Sequence, residues 1–268
     1  NEKTFAVGGN RSGTVTYYAV VGQKLGDMYG YIYDGVYTTD DFVQDDKGNF
    51  SLREGVVVPV NSKGEAKPVQ PGDIKFAANQ TGEDGTAQFS EAHKVKIGNG
   101  TPDCIGGFNN TFTFRGFDLS VFMKFSIGND IYNATKHSMS PYGQFQNVPA
   151  EFGSNYYRLI DPATGQKATT LARIKELNPD ESSRLWNLGS TNSSYITYPS
   201  SYYVEDGSYL RIAQVTVGYT FPKRWLQKAM ISNARIYFTA NNLATITGYS
   251  GYDPEVSAGS SDYVACTP

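Results

Sequence analysis

The side chains that carry most protein chemistry are few in this chain and poorly spaced for it. The only histidines, His93 and His137, lie outside any HExxH pattern, the spacing that sets two imidazoles on one helix face for zinc. No GxSxG elbow and no Walker A run occurs, so acyl transfer through an activated serine and P-loop phosphate chemistry both lack their parts. The carboxylate pairs Glu205-Asp206 and Asp180-Glu181 are sequence neighbours, which point apart in extended chain and read as loop charges rather than an acid and a base. The run "GGNRSG" from Gly8 superficially resembles a phosphate loop, but without a following helix it reads as a turn. In "AANQTGEDGTAQFSEAHKVKIG", Asn79, Glu83 and Asp84 lack the alternating acidic spacing of a calcium loop, so a solvated loop is expected. Cys104 and Cys266 stand far apart without CxxC spacing; one bridge and two free thiols fit equally. No enzymatic activity, cofactor or metal is expected.

Binding chemistry is better represented. Tyr142, Phe145, Tyr156, Tyr157, Trp186, Tyr195, Tyr198, Tyr202 and Tyr203 lie among Asn, Gln, Ser and Thr. Aromatic faces stack on sugar rings while amides and hydroxyls bond their hydroxyls, so such a segment could grip a glycan or a peptide. The alternative is that these rings pack the segment onto itself or anchor a partner protein, a role that tyrosine fills well. A second candidate contact is "GYSGYDPEV", where Tyr249, Tyr252 and Asp253 could face a ligand or a partner.

The elements that must position these residues are strands. Glycine (28), tyrosine (20) and phenylalanine (15) are plentiful, while charged residues make up only 18%, a balance suited to a large antiparallel β-structure. A net charge of −3 with no basic stripe argues against a nucleic-acid partner. The first residues, "NEKTFAVGGN", do not form a signal peptide, and no run of apolar residues is long enough for a transmembrane helix. Membrane β-strands need only about ten alternating residues and escape such a test.

"TVTYYAVV" (Thr14 to Val21) is a strand candidate. "TFTFRGFDLSVFMKFSIG" predicts a hairpin turning near Arg115-Gly116. Phe112 and Phe114 share a face on its first strand. Phe117, Leu119, Val121, Met123 and Phe125 form the apolar face of the second, opposite Asp118, Ser120, Lys124 and Ser126, with Phe122 as the exception. In "SYLRIAQVTVGYTFP", Ala213, Val215, Val217, Tyr219 and Phe221 alternate with Gln214, Thr216, Gly218 and Thr220. "KRWLQKAMISN" has room for one helical turn. In "ARIYFTANNLATIT", Ile236, Phe238 and Ala240 oppose Arg235, Tyr237, Thr239 and Asn241. Alternation alone fits both a sandwich core and a lipid-facing wall. Short turns at one end and the long stretch from Asn129 to Gly207 at the other favour the wall.

Several segments carry a family resemblance, in order: "VGQKLGDMYGYIYDGVY", "PGDIKF", "IGNGTPDCIGGFNNTFTFRGFDLSVFMKFSIGNDIYN", "YVEDGSYLRIAQVTVGYTFP" and "ARIYFTANNLATITGYSGYDPEV". Together they resemble the C-terminal part of the SusC/RagA-like TonB-dependent transporters of Bacteroidetes outer membranes. The resemblance implies an all-β fold: part of a 22-stranded antiparallel transmembrane barrel with long extracellular loops and short periplasmic turns. Residues 1–268 would then be one partial barrel domain, without the plug, the N-terminal strands or the final strand or strands. It also implies a function, import of glycan or peptide oligomers without covalent chemistry. The implied partners are a SusD-like surface lipoprotein, TonB acting through the missing N-terminal part, the remainder of the barrel, and lipid. Gln214, Thr216 and Lys124 would line the lumen. The family often carries a calcium-like run after "PGDIKF", which this chain lacks, and Cys104 stands where an aromatic is more usual. The rival reading is a soluble or surface β-sandwich that binds carbohydrate.

Overall fold

The computed structural model describes residues 4–8, 16–61, 63–140, 149–189, 193–227 and 230–255. The chain divides into two compact units, one built mainly from Asn1–Gly98 and Tyr132–Val204, the other mainly from Asn99–Ile131 and Glu205–Ser261.

The second unit is a four-stranded antiparallel sheet of β1 (Cys104–Phe114), β2 (Phe117–Ile127), β3 (Tyr209–Thr220) and β4 (Arg235–Thr247), in that spatial order. The β1–β2 hairpin closes through Arg115 (φ 47°) and Gly116 (φ 88°), the two left-handed positions of a type I′ turn. Gly116 is doubly required, because a Cβ there would also lie 2.8 Å from the Thr220 carbonyl oxygen. The expected helical turn between β3 and β4 is present at Lys223–Leu226.

Register sorts the side chains onto two faces, since directly paired residues share a face. One face carries rows such as Phe114, Phe117, Tyr219 and Ile236, then Phe112, Leu119, Val217 and Phe238, then Phe108 with Met123, Ile212 and Ala244. The other carries Thr113, Asp118, Gly218 and Tyr237, then Thr111, Ser120, Thr216 and Thr239, with Arg235 opposite Thr220 at its edge. The expected alternation therefore holds in β2 and in the first half of β4. It shifts in β3, where Ala213 is the extra residue of a bulge between Ile212 and Gln214. The bulge puts Leu210 and Ile212, not Ala213, in line with Val215 on the apolar face. A bulge in β4 answers it, with Asn242 at φ 50°. The apolar face is bare: Phe114 is 70% exposed and Phe238 71%. Phe122, on the polar face, packs over Gly107, where an added Cβ would lie 3.3 Å from the ring.

The first unit is assembled from short strands and irregular chain. Tyr33–Val36 pairs with Ile74–Phe76, Phe42–Gln44 with Phe50–Leu52, and Ala87–Ser90 lies between Val58–Val60 and Gln80–Thr81. The strand expected in Thr14–Val21 runs over Thr16–Val20. One helix, Leu171–Leu177, is capped by the Thr170 hydroxyl, which accepts from the Arg173 amide. The core is largely aromatic: Tyr31, Phe76, Phe89, Phe152, Tyr157, Trp186, Tyr195 and Tyr203 form one buried cluster with Val36, Ile74, Leu159 and Ile174.

Candidate functional site

On the sheet unit the polar face gathers charge at two levels. Near the hairpin turn, Asp118 on β2 and Arg235 on β4 meet across the intervening β3, with Nε–Oδ1 at 3.1 Å and Nη2–Oδ2 at 2.5 Å. They reach each other because the β3 residue between them is Gly218. A Cβ at that position would lie 2.5 Å from Arg235 Nη2 and 2.6 Å from both Asp118 oxygens.

Toward the opposite end, Lys124 and Arg211 are direct cross-strand partners on the same face. Two adjacent cations would repel, yet Arg211 is only 6% exposed. The chain after β4 resolves this by folding back over the face. Arg211 pairs with Asp253 through Nη2 and with Glu255 through Nη1 (2.8 Å), while Lys124 Nζ lies 2.6 Å from Glu255 Oε1. The Tyr209 hydroxyl also donates to Glu255. Asp253 turns the strap by accepting from the Glu255 amide at 2.8 Å, and Glu205 holds Ser250 through its amide and hydroxyl, both at 2.8 Å. Burial pushes the Asp253 and Glu255 carboxyls up. Their hydrogen bonds and the charges of Arg211 and Lys124 outweigh burial and leave both below the usual carboxylate range.

The sequence-predicted contact residues fall into three groups. Tyr142 and Phe145 lie outside the described residues. Tyr157, Trp186, Tyr195 and Tyr203 are buried in the core of the first unit, which is the self-packing alternative that the sequence left open. Tyr156, Tyr198 and Tyr202 pack partly buried against that core. Tyr202 donates to Glu151 at 2.8 Å, with Lys136 Nζ 4.1 Å from its ring centroid. In the sheet unit Tyr249 is half-buried, Tyr252 is 98% exposed and Asp253 belongs to the strap.

One carboxylate departs from expectation. Asp180-Glu181 was expected to be a pair of loop charges, but Glu181 is buried. It accepts from the Tyr157 hydroxyl (2.7 Å), the Thr39 hydroxyl (2.9 Å) and the Thr39 amide (3.1 Å), which together replace its hydration. Glu205-Asp206 do diverge: Glu205 binds Ser250, and Asp206 accepts from the Ser208 amide at 2.9 Å. His137 is a core residue, 2.9 Å from the Tyr132 hydroxyl through Nδ1, and burial lowers its pKa. Sequence reasoning missed the roles of Arg211 and Glu255. The available signal was an arginine at a polar-face position of a strand, followed later by "DPE".

No family model matches the chain. It is 29% identical over 236 residues to the TonB-dependent receptor P3 of Formosa agariphila, covering 88% of this chain and 19% of that protein. It is 24% identical over 221 residues to the TonB-dependent receptor SusC of Bacteroides thetaiotaomicron, covering 74% of this chain and 19% of that one. The chain thus spans about a fifth of the length of the curated relatives it matches. Among solved structures, that of the RagAB peptide transporter superposes with a TM-score of 0.60 at 20% identity, over 97% of this chain and 23% of that one. In sequence over most of its length and in fold over nearly all of it, the chain is similar to the SusC/RagA-like TonB-dependent transporters, β-barrel proteins of the outer membrane.

Proposed function

We propose that this chain supplies barrel wall and loops to a TonB-dependent importer of glycan or peptide oligomers, working with a SusD-like surface lipoprotein. The observation that carries the reading is the in-register sheet with one bare apolar face and one polar, charge-paired face. A sandwich would cover its apolar face; a barrel turns it to lipid. Strand length agrees. Eleven residues in β2, at about 3.3 Å each and a tilt of about 40°, rise about 28 Å against an apolar band of about 25 Å. The polar rows, with Thr216, Gln214 and Lys124, then line the lumen, and the exposed Tyr252 is the candidate contact with substrate or lid. Transport on this reading needs differential binding and a gated path, with energy delivered through TonB. The test is to purify the full-length parent protein in detergent, identify its companions by mass, and measure TonB-dependent uptake of peptide and oligosaccharide pools by cells. A lipoprotein companion and uptake that stops without TonB are expected. A water-soluble parent with a cooperative melt and no TonB-dependent uptake overturns the reading.

A further inference from the structure

The first unit contains a cleft of about 250 Å³ whose cations face no anion among the described residues: Arg158 and Lys167 line it together with Gln70, Tyr156, Asn187 and Leu188, and no described Asp or Glu stands on its wall. Elsewhere in this unit Arg173 pairs with Asp161 and Glu176, Lys175 with Asp40, and Lys75 with Asp41. Arg158 has no such carboxylate among the described residues, and its Nε is buried without a hydrogen-bond partner. Its guanidinium carbon lies 5.6 Å from the centroid of the Tyr156 ring. The backbone of Arg158 is nevertheless fixed: its amide donates to Asn178 Oδ1 at 2.7 Å, and its carbonyl accepts from Asn178 Nδ2 at 2.8 Å. Lys167 Nζ donates at 2.6 Å to Gln70 Oε1, a neutral acceptor. Asn187 spends its Oδ1 on the Gly189 amide at 2.6 Å, and its NH2 finds no protein acceptor among the described residues.

Three donors of this kind around one cleft are matched by a carboxylate, and a guanidinium takes that group through two parallel hydrogen bonds. The volume lies just below the range of about 300–1,000 Å³ usual for ligand pockets, so the cleft admits the end of a chain and not an oligomer along its length. Leu159, Ile160 and Leu188 add apolar wall, which suits an amino-acid side chain better than a sugar ring. We propose that this cleft receives the C-terminal carboxylate of a peptide, with Arg158 and Lys167 as its charge partners and Tyr156 flanking the terminal residue. The inference rests on the import reading above and names the substrate class within it.

The test uses the full-length transporter, immobilised in detergent, and a pool of random hexapeptides, half with free C-terminal carboxylates and half as C-terminal amides. Mass spectrometry counts what is retained. Free acids are expected to be enriched on the order of tenfold over amides. The enrichment should vanish in Arg158→Gln and fall partly in Lys167→Gln, an exposed position where substitution leaves the fold intact, while total peptide retention is preserved. Equal retention of acids and amides, or enrichment that survives both substitutions, overturns the inference and leaves import standing. Retention of an oligosaccharide pool but no peptide also overturns it and leaves import standing. Retention of neither pool, together with no TonB-dependent uptake, removes both.

Discussion

If the apolar face of the sheet meets lipid, the cost of placing a charge on it depends on depth. Phe117 and Val121 sit on that face of the same strand, paired with Tyr219 and Val215. Phe117 is the first residue after the turn, and Val121 lies four residues further in. At about 3.3 Å per residue and a tilt of about 40°, that is about 10 Å of depth, enough to pass from the interfacial girdle to near the midplane. Arginine on the lipid face of such barrels costs about 2–4 kcal/mol at the midplane and about 0–1 kcal/mol near the interface. Val121→Arg should therefore destabilise the full-length barrel by about 2–3 kcal/mol more than Phe117→Arg. That is a ratio of about 30- to 140-fold in the folding equilibrium. Each cost is referenced to alanine at the same site, which removes the loss of the Phe117 ring, tilted against Tyr219 with centroids 4.5 Å apart. The assay is urea-dependent folding into lipid vesicles, read by the gel shift between heated and unheated samples. Equal costs at the two positions, or a larger cost at Phe117, would refute a lipid-facing wall, because a protein-covered face has no reason to grade the penalty with distance from the turn.

Three further outcomes follow from the site. Gly218→Ala should leave the strand intact but displace the Asp118–Arg235 pair and remove the small stabilisation that such an ion pair gives; Asp118→Asn in the alanine background should then add nothing, and a full additive loss would sink the account. Asp253 and Glu255 sit below their ordinary values of 3.8 and 4.5, so their contribution to holding the strap is complete above about pH 4.5 and is lost as the pH falls through the lowered values. Proteolytic nicking within 248–255 should accordingly rise only in strong acid, and Glu255→Gln should raise it at neutral pH; a nicking rate flat with pH would count against the strap. Trp186→Ala should destabilise the first unit by about 3–5 kcal/mol, whereas Tyr252→Ala should leave its stability unchanged and alter only binding to substrate or lid; differential scanning of the two variants decides it.

In the sheet, β2 was legible because a period of two runs the length of its eleven residues, and the turn before it because Arg115-Gly116 carries its own turn chemistry. The bulge at Ala213 left only a phase jump, Leu210 and Ile212 against Val215 and Val217, which an alanine at the junction disguises as unbroken alternation. The aromatic segment resisted reading for another reason. Its rings are ordered by contacts from distant chain, as when Phe76 and Phe89 meet Tyr195 at 6.0 and 5.7 Å, and irregular backbone imposes no period that would announce it. Glu181 looked like a solvated charge because its donors, Thr39 and Tyr157, are remote in sequence. The cleft was invisible for the same reason, since Gln70, Arg158, Lys167 and Asn187 belong to four separate stretches.

The Asp118–Arg235 pair joins two strands that are not neighbours, and this makes it a checkpoint for assembly. A slip of one residue at either β2–β3 or β3–β4 would send one partner to the opposite face of the sheet. Asp118 lies opposite Gly218 and Arg235 opposite Thr220, so a slip of two that lengthens this stagger would keep the face but move the groups about 6.8 Å further apart along the strands, beyond ionic contact. A single ion pair thus reports on two seams at once, and the missing side chain at Gly218 is what allows it to span both.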